Sequence, residues 1–139
     1  MRFFKIYEML KLKINKGGND FIPKFIALMN AEKNPMDNGY YYQDGETLVK
    51  FKLLPGFLRP GSVLVSDLHT IPNKTGAGRR FLKELTQLAD ATNTLLELSA
   101  VPLKTDEKIP QDKLNNFYDT FGFEKIKGDS QNTMVRKPA

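Results

Sequence analysis

The chain has 139 residues, no cysteine, one histidine, and 21 basic against 16 acidic residues for a net charge of +5. That length is expected to form one domain over 1–139 around a single core, and 40% hydrophobic with 27% charged residues is ordinary for a globular protein. Without cysteine there is no disulfide, thiolate nucleophile or zinc–sulfur site, and one histidine cannot build a multi-histidine centre, so no metal is expected.

Residues 2–15 read two ways. Leu10, Leu12 and Ile14 alternate as in a strand, while Phe3, Tyr7, Leu10 and Ile14 would share a helical face. Lys5, Glu8 and Lys11 interrupt any apolar run, so no signal peptide or membrane span is expected and the default compartment is the cytoplasm. After the break Lys16-Gly17-Gly18-Asn19, Asp20 is expected to N-cap a helix with Phe21, Phe25, Leu28 and Met29 on one face, ending near Asn34-Pro35. A hairpin follows: Tyr40-Tyr41-Tyr42-Gln43, the turn Asp44-Gly45, then Thr47-Leu48-Val49-Lys50-Phe51. Pro55-Gly56 and Pro60-Gly61 bracket a loop carrying Phe57 and Leu58. Downstream, periodicity predicts strand 62–69, helix 77–91, strand 94–101, helix 110–121 and strands 123–127 and 132–136. Strands alternating with helices and closing on a strand pair imply a mixed α/β (α+β) sheet.

The junction between strand 62–69 and helix 77–91 holds the most chemistry. It reads Leu68-His69-Thr70-Ile71-Pro72-Asn73-Lys74-Thr75-Gly76-Ala77-Gly78-Arg79-Arg80. A strand that feeds a helix through a glycine loop aims backbone N–H groups and a positive helix end at one point, which suits a phosphate. Lys74, Arg79 and Arg80 add charge there. A Walker loop does not fit, since no glycine is followed by Lys-Ser or Lys-Thr at the required spacing. A dinucleotide fingerprint fails as well: its third glycine would fall on Phe81, although Glu97 stands about where a ribose-binding acid would.

Asn73-Lys74-Thr75-Gly76-Ala77-Gly78 resembles the pyrophosphate loop of the GNAT superfamily of N-acetyltransferases, [Gln/Arg]-x-x-Gly-x-[Gly/Ala], with Asn at the leading position. Phe117-Tyr118-Asp119-Thr120-Phe121-Gly122-Phe123 resembles that family's Phe-Tyr-x-x-x-Gly-Phe ending. Order and spacing agree over residues 62–127. The resemblance implies a mixed, mostly antiparallel sheet with helices on both faces. It implies acetyl-coenzyme A as cosubstrate, bound between strands 62–69 and 94–101, which splay apart in the family. Backbone groups of Leu68 and Thr70 would pair with the pantetheine arm and steady an oxyanion, with Thr70 where many relatives carry proline. Asn73, Lys74, Thr75, Gly76, Ala77, Gly78, Arg79 and Arg80 would hold the pyrophosphate, and Asn115 with Gln111 would reach the cofactor. Tyr118 would protonate the departing thiolate. Asp67, His69 or Glu97 would accept the proton of the amine acceptor, itself of unknown identity, and the loop from Pro55 to Gly61 would be a rim loop contacting that acceptor.

Each residue also has a plainer reading. Two-residue alternation puts Val63, Val65, Asp67 and His69 on one side of their strand and Leu64, Ser66, Leu68 and Thr70 on the other. Asp67 and His69 could be hydrogen-bonded structural groups, and Tyr118 part of an aromatic core with Phe117, Phe121 and Phe123. Two other functions stay open: a non-catalytic acyl-coenzyme A or protein-interaction module of the same fold, and a basic nucleic-acid-binding domain with Tyr40 and Tyr42 as stacking platform. The basic residues are scattered rather than blocked, which weighs against nucleic acid.

Overall fold

The computed structural model describes residues 20–72, 75–99, 111–126 and 133–139. The two readings of 2–15, and the expected strand and helix ends at 100–101, 110, 127 and 132, lie outside the described residues.

Helix α1 spans Phe21–Met29 and tolerates Pro23 because the first turn has no use for that N–H. Asp20 stands at its start, as expected, but in helical conformation (φ −66°, ψ −24°) and without a side-chain cap bond. The helix stops at Asn30, before the expected Asn34-Pro35. Asn30 adopts the left-handed conformation (φ 55°) that ends helices, and its N–H closes on the Ala27 carbonyl. The residues beyond instead form a short strand β1, Glu32–Lys33, paired with Tyr40 and Tyr41. Phe21 and Phe25 are buried as expected, but Leu28 is 39% exposed and Lys24 is buried in the helix instead.

The hairpin forms β2 (Tyr40–Asp44) and β3 (Thr47–Pro55), turning at Gly45 with φ 59°. Next come β4 (Val63–Ile71), α2 (Ala77–Ala91), β5 (Leu96–Ser99), α3 (Gln111–Asp119), β6 (Glu124–Lys125) and β7 (Thr133–Arg136). The strands make one mixed sheet in the order β1-β2-β3-β4-β5-β7-β6, antiparallel throughout except for β4 with β5. This is a GNAT-like α+β architecture. Phe25 of α1, Phe51 of β3 and Phe81 of α2 meet at centroid distances of 5.8, 5.3 and 4.9 Å, seating both helices on one face of the sheet. Each is at most 2% exposed, and full burial of such a ring contributes about 1.5–3 kcal/mol.

β4 breaks the simple alternation. Lys50 faces His69 but Lys52 faces Ser66, so one residue of β3, Phe51, stands against both Asp67 and Leu68. This is a β-bulge. Asp67 takes φ 53° within it, a conformation that Asp tolerates better than most side chains. The bulge resets the faces. Val65 opposes Leu53 and Thr70 opposes Val49, on the helix side, while Ser66 and His69 oppose Lys52 and Lys50 on the other. The expected grouping of Val63 and Val65 with Asp67 and His69 is therefore wrong: Leu68 packs on the core that Val63 and Val65 enter.

At the far end, Arg136 of β7 donates to both Asp90 carboxylate oxygens (2.7 and 3.0 Å) and to the Phe121 carbonyl (2.7 Å). One guanidinium thus ties the last strand to the end of α2 and to the turn at Gly122, whose φ is 90°. No helix among the described residues is long and apolar enough to cross a membrane.

Candidate cofactor and catalytic site

The site begins where two strands stop pairing. Among the described residues, β4 and β5 match at Val63–Leu96, Leu64–Glu97 and Val65–Leu98. β4 runs on for six more residues, to Ile71, about 20 Å of backbone at 3.3 Å per residue. Among the described residues, no strand pairs with that edge on the β5 side, and the bulge at Asp67 lies within it.

The unpaired edge leads to the start of α2. Gly76 occupies the N-cap with φ 85° and brings no side chain to cap the first N–H groups; no acidic residue stands in the first turn. The Arg80 N–H closes on the Gly76 carbonyl at 3.0 Å, so the free donors are those before it. A Cβ on Gly78 would meet only the Thr70 methyl at 3.9 Å and Phe117 at 4.0 Å. Gly78 therefore turns a bare face to the notch between the end of β4 and α3. Ala77 is fully buried and roots the helix start in the core. Thr75 accepts a hydrogen bond from the Thr47 hydroxyl at 2.9 Å, tying the loop to β3.

The charged residues lie around this start. Arg79 stacks over Phe117 and Phe121, with centroids 5.4 and 5.8 Å from its guanidinium. Arg80 pairs with Asp44 at 2.7 Å and passes beside Gly76. Asn73 and Lys74 lie outside the described residues. On α3, Asn115 accepts from Gln111 at 2.9 Å.

Tyr118 sits one helix away, 8% exposed, with Phe117 at 5.5 Å and Phe123 at 6.0 Å, both edge-on. Burial pushes its hydroxyl up to about 12, so it holds its proton throughout the neutral range. Asp67 is half exposed and pairs with Lys52 at 3.3 Å; His69 is half-buried opposite Lys50. Both lie away from α2.

Two readings are corrected. Glu97 is not free to act as a base: its carboxylate is 2% exposed and accepts from the Phe57 and Leu58 N–H groups (3.0 and 3.1 Å) and from the Ser62 hydroxyl (2.5 Å). The loop it holds, 56–62, joins β3 to the beginning of β4, at the opposite end of that strand from Gly76. The expected acceptor rim loop thus lies remote from the glycine loop. Nor do Tyr40 and Tyr42 form a stacking platform, for Tyr42 is 8% exposed against Phe51 and Phe81 and Tyr40 stacks on Phe51.

Sequence reasoning missed Lys52, the partner of Asp67, and the bulge that presents both. A polar Ser66-Asp67 pair inside an apolar strand was the available signal, because Asp is depleted in regular strands.

No protein-family model and no curated protein matches the sequence. Among solved structures, the chain resembles the anti-CRISPR protein AcrVA5 at 17% identity and a TM-score of 0.52, over 70% of this chain and 96% of that one. A structure of the AtaT–AtaR complex bound to DNA is also similar, at 16% identity and a TM-score of 0.44, over 71% of this chain and 66% of that one. The likeness to AcrVA5 is one of fold, and it agrees with the GNAT-like sheet described above.

Proposed function

We propose that this protein is an acetyl-coenzyme A-dependent N-acetyltransferase. The observation that carries the reading is the union of a strand edge, 66–71, unpaired on the β5 side among the described residues, with an uncapped glycine-bearing helix start. Pantetheine amides suit an unpaired strand edge, and a pyrophosphate suits free N–H groups at a helix N-terminus. The N–H groups before Arg80 would hold the pyrophosphate, with Arg79 and Arg80 beside it. Leu68 and Thr70 would hold the pantetheine by their backbone.

Asp67 and His69 lie on the face away from α2, so an amine acceptor would approach from the side opposite the helix start. The nucleophile must be a neutral amine, and lysine-like amines have a pKa near 10.4, so a base is required at neutral pH. Asp67, with His69 as the alternative, takes that proton. Backbone N–H groups at the bulge face the developing oxyanion. Tyr118 returns a proton to the leaving sulfur, and the acyl group passes directly from sulfur to nitrogen because the chain has no cysteine to carry it.

One observation favours a second reading, a coenzyme A-binding module without catalysis: the Tyr118 ring is packed on two phenylalanines and its hydroxyl has no hydrogen-bond partner among the described residues. Thiol release from acetyl-coenzyme A, measured over small amines, lysine peptides and peptides with free N-termini, separates the two. Amine-dependent release is the expected result. Binding of the cosubstrate without release over the whole panel would establish the module instead.

A further inference from the structure

Lys24 is 5% exposed, on the inner side of α1 between Phe21 and Phe25, and its ammonium has no ion pair or hydrogen bond among the described residues. Its stem is packed away while the ammonium keeps contact with solvent, so the charge is unpaired and open to an anion. Lys24 lines a cleft of about 550 Å³, which also takes in Arg59 and Gly61 from the 56–62 loop and the residues just after α2. The cleft lies at the beginning of β4, the end remote from Gly76. Its size fits a small organic molecule better than a single inorganic ion.

The donors and acceptors in the cleft point to one kind of ligand. α1 opens on it with an uncapped first turn, leaving the Phe21 and Ile22 N–H groups without a side-chain cap. Arg59 offers a second cation from the facing loop. The Thr92 hydroxyl donates to the Leu88 carbonyl at 2.7 Å, so in its 2.7 Å contact with Thr94 the proton comes from Thr94. Both hydroxyl oxygens are then left as acceptors. Asp20, the carboxylate of the cleft, is another acceptor. Cations and free N–H groups call for an anion, while the acceptors call for hydroxyls on the same molecule.

We propose that this cleft binds a small hydroxylated phosphate monoester, its phosphate held between Lys24, Arg59 and the start of α1. The site is separate from the proposed cosubstrate site and does not depend on it. Lys24, not the helix end alone, defines it.

Calorimetric titration of the full chain with glycerol 3-phosphate and ribose 5-phosphate, in excess acetyl-coenzyme A, tests this. Glycerol, ribose and inorganic phosphate serve as controls. The phosphate monoesters should bind, and Lys24→Met or Arg59→Gln should each weaken them by at least about tenfold. The melting temperature adds an independent readout. Lys24→Met, which keeps the apolar stem and removes the charge, should melt close to the parent when free and abolish the rise in melting temperature that ligand causes in the parent. Overturning results are binding unchanged by both substitutions, no binding of either monoester, or a Lys24→Met protein whose melting temperature still rises with ligand as the parent's does.

Discussion

The two ends of β4 are built on opposite principles. At its beginning, the ladder with β5 is intact and a buried carboxylate, Glu97, receives two backbone N–H groups and a hydroxyl, so the 56–62 loop is held in place. At its far end no described residue of β5 pairs with it, a bulge carries Asp67 in a left-handed conformation, and α2 starts on a residue with no side chain to cap it. Backbone polar groups are paired wherever water is excluded, unless something else is meant to pair with them. One end of the strand is therefore a piece of scaffold, and the proposed function assigns the other to a ligand.

Substitutions at the two ends should differ in kind. The largest effect is expected on turnover: Tyr118→Phe should slow acetyl transfer by about 10²–10⁴-fold while cosubstrate affinity and melting temperature hold. Since burial pushes the hydroxyl up to about 12, no alkaline loss of activity below that pH should arise from this residue. Equal turnover in steady-state assays would return Tyr118 to the aromatic core. At the scaffold end the readout reverses. Glu97→Gln turns an amide donor toward groups that are themselves donors and should cost about 1–3 kcal/mol in denaturant unfolding, with acetyl-coenzyme A affinity unchanged. A Glu97→Gln protein of normal stability but weakened affinity would erase the distinction between the ends.

A smaller effect is expected at the Arg136 clamp, which belongs to neither end. Hydrogen bonds from Arg136 hold the Asp90 carboxyl below its usual range, and the Ala139 N–H adds to this. A depressed carboxyl contributes stability above its unfolded pKa and loses it as pH falls through the folded value. Asp90→Asn should therefore cost about 1 kcal/mol at neutral pH, a gap that narrows in urea melts below about pH 4. Smallest is Tyr42→Phe. The Tyr42 hydroxyl is buried with no partner among the described residues, and removing an unsatisfied group should leave stability equal or slightly higher. A clear drop in melting temperature would mean that the hydroxyl is bonded after all.

How far the sequence was legible depended on the range of the interactions involved. The helix at 77–91 was readable to its bounds, because Phe81, Leu82, Leu85, Leu88 and Ala89 repeat at helical spacing and all are buried. The hairpin was readable from Asp44-Gly45. The end of α1 was not, since Asn30 stops it by a left-handed turn that competes with a helical pattern running on to Asn34. Nor was the bulge in β4, which is defined by register against β3: Phe51 facing two residues is a property of the pair. That one insertion moved His69 to the other face of the sheet. Glu97 misled for a related reason, as an acid on a strand near a glycine loop suits catalysis until its donors arrive from a loop some forty positions earlier.

The central claim is that the open end of β4, with the start of α2, binds coenzyme A. Gly78→Leu tests it most directly. The space around Gly78 accommodates a Cβ at ordinary contact distances, and leucine favours a helix where glycine does not, so the fold should stand and the side chain should fill the notch beside Thr70 and Phe117. Calorimetric titration with acetyl-coenzyme A should give measurable binding to the parent and at least about 100-fold weaker binding to the variant, roughly 2.7 kcal/mol, with both proteins melting alike. Equal affinity in the two, or no binding to the parent, would contradict the account.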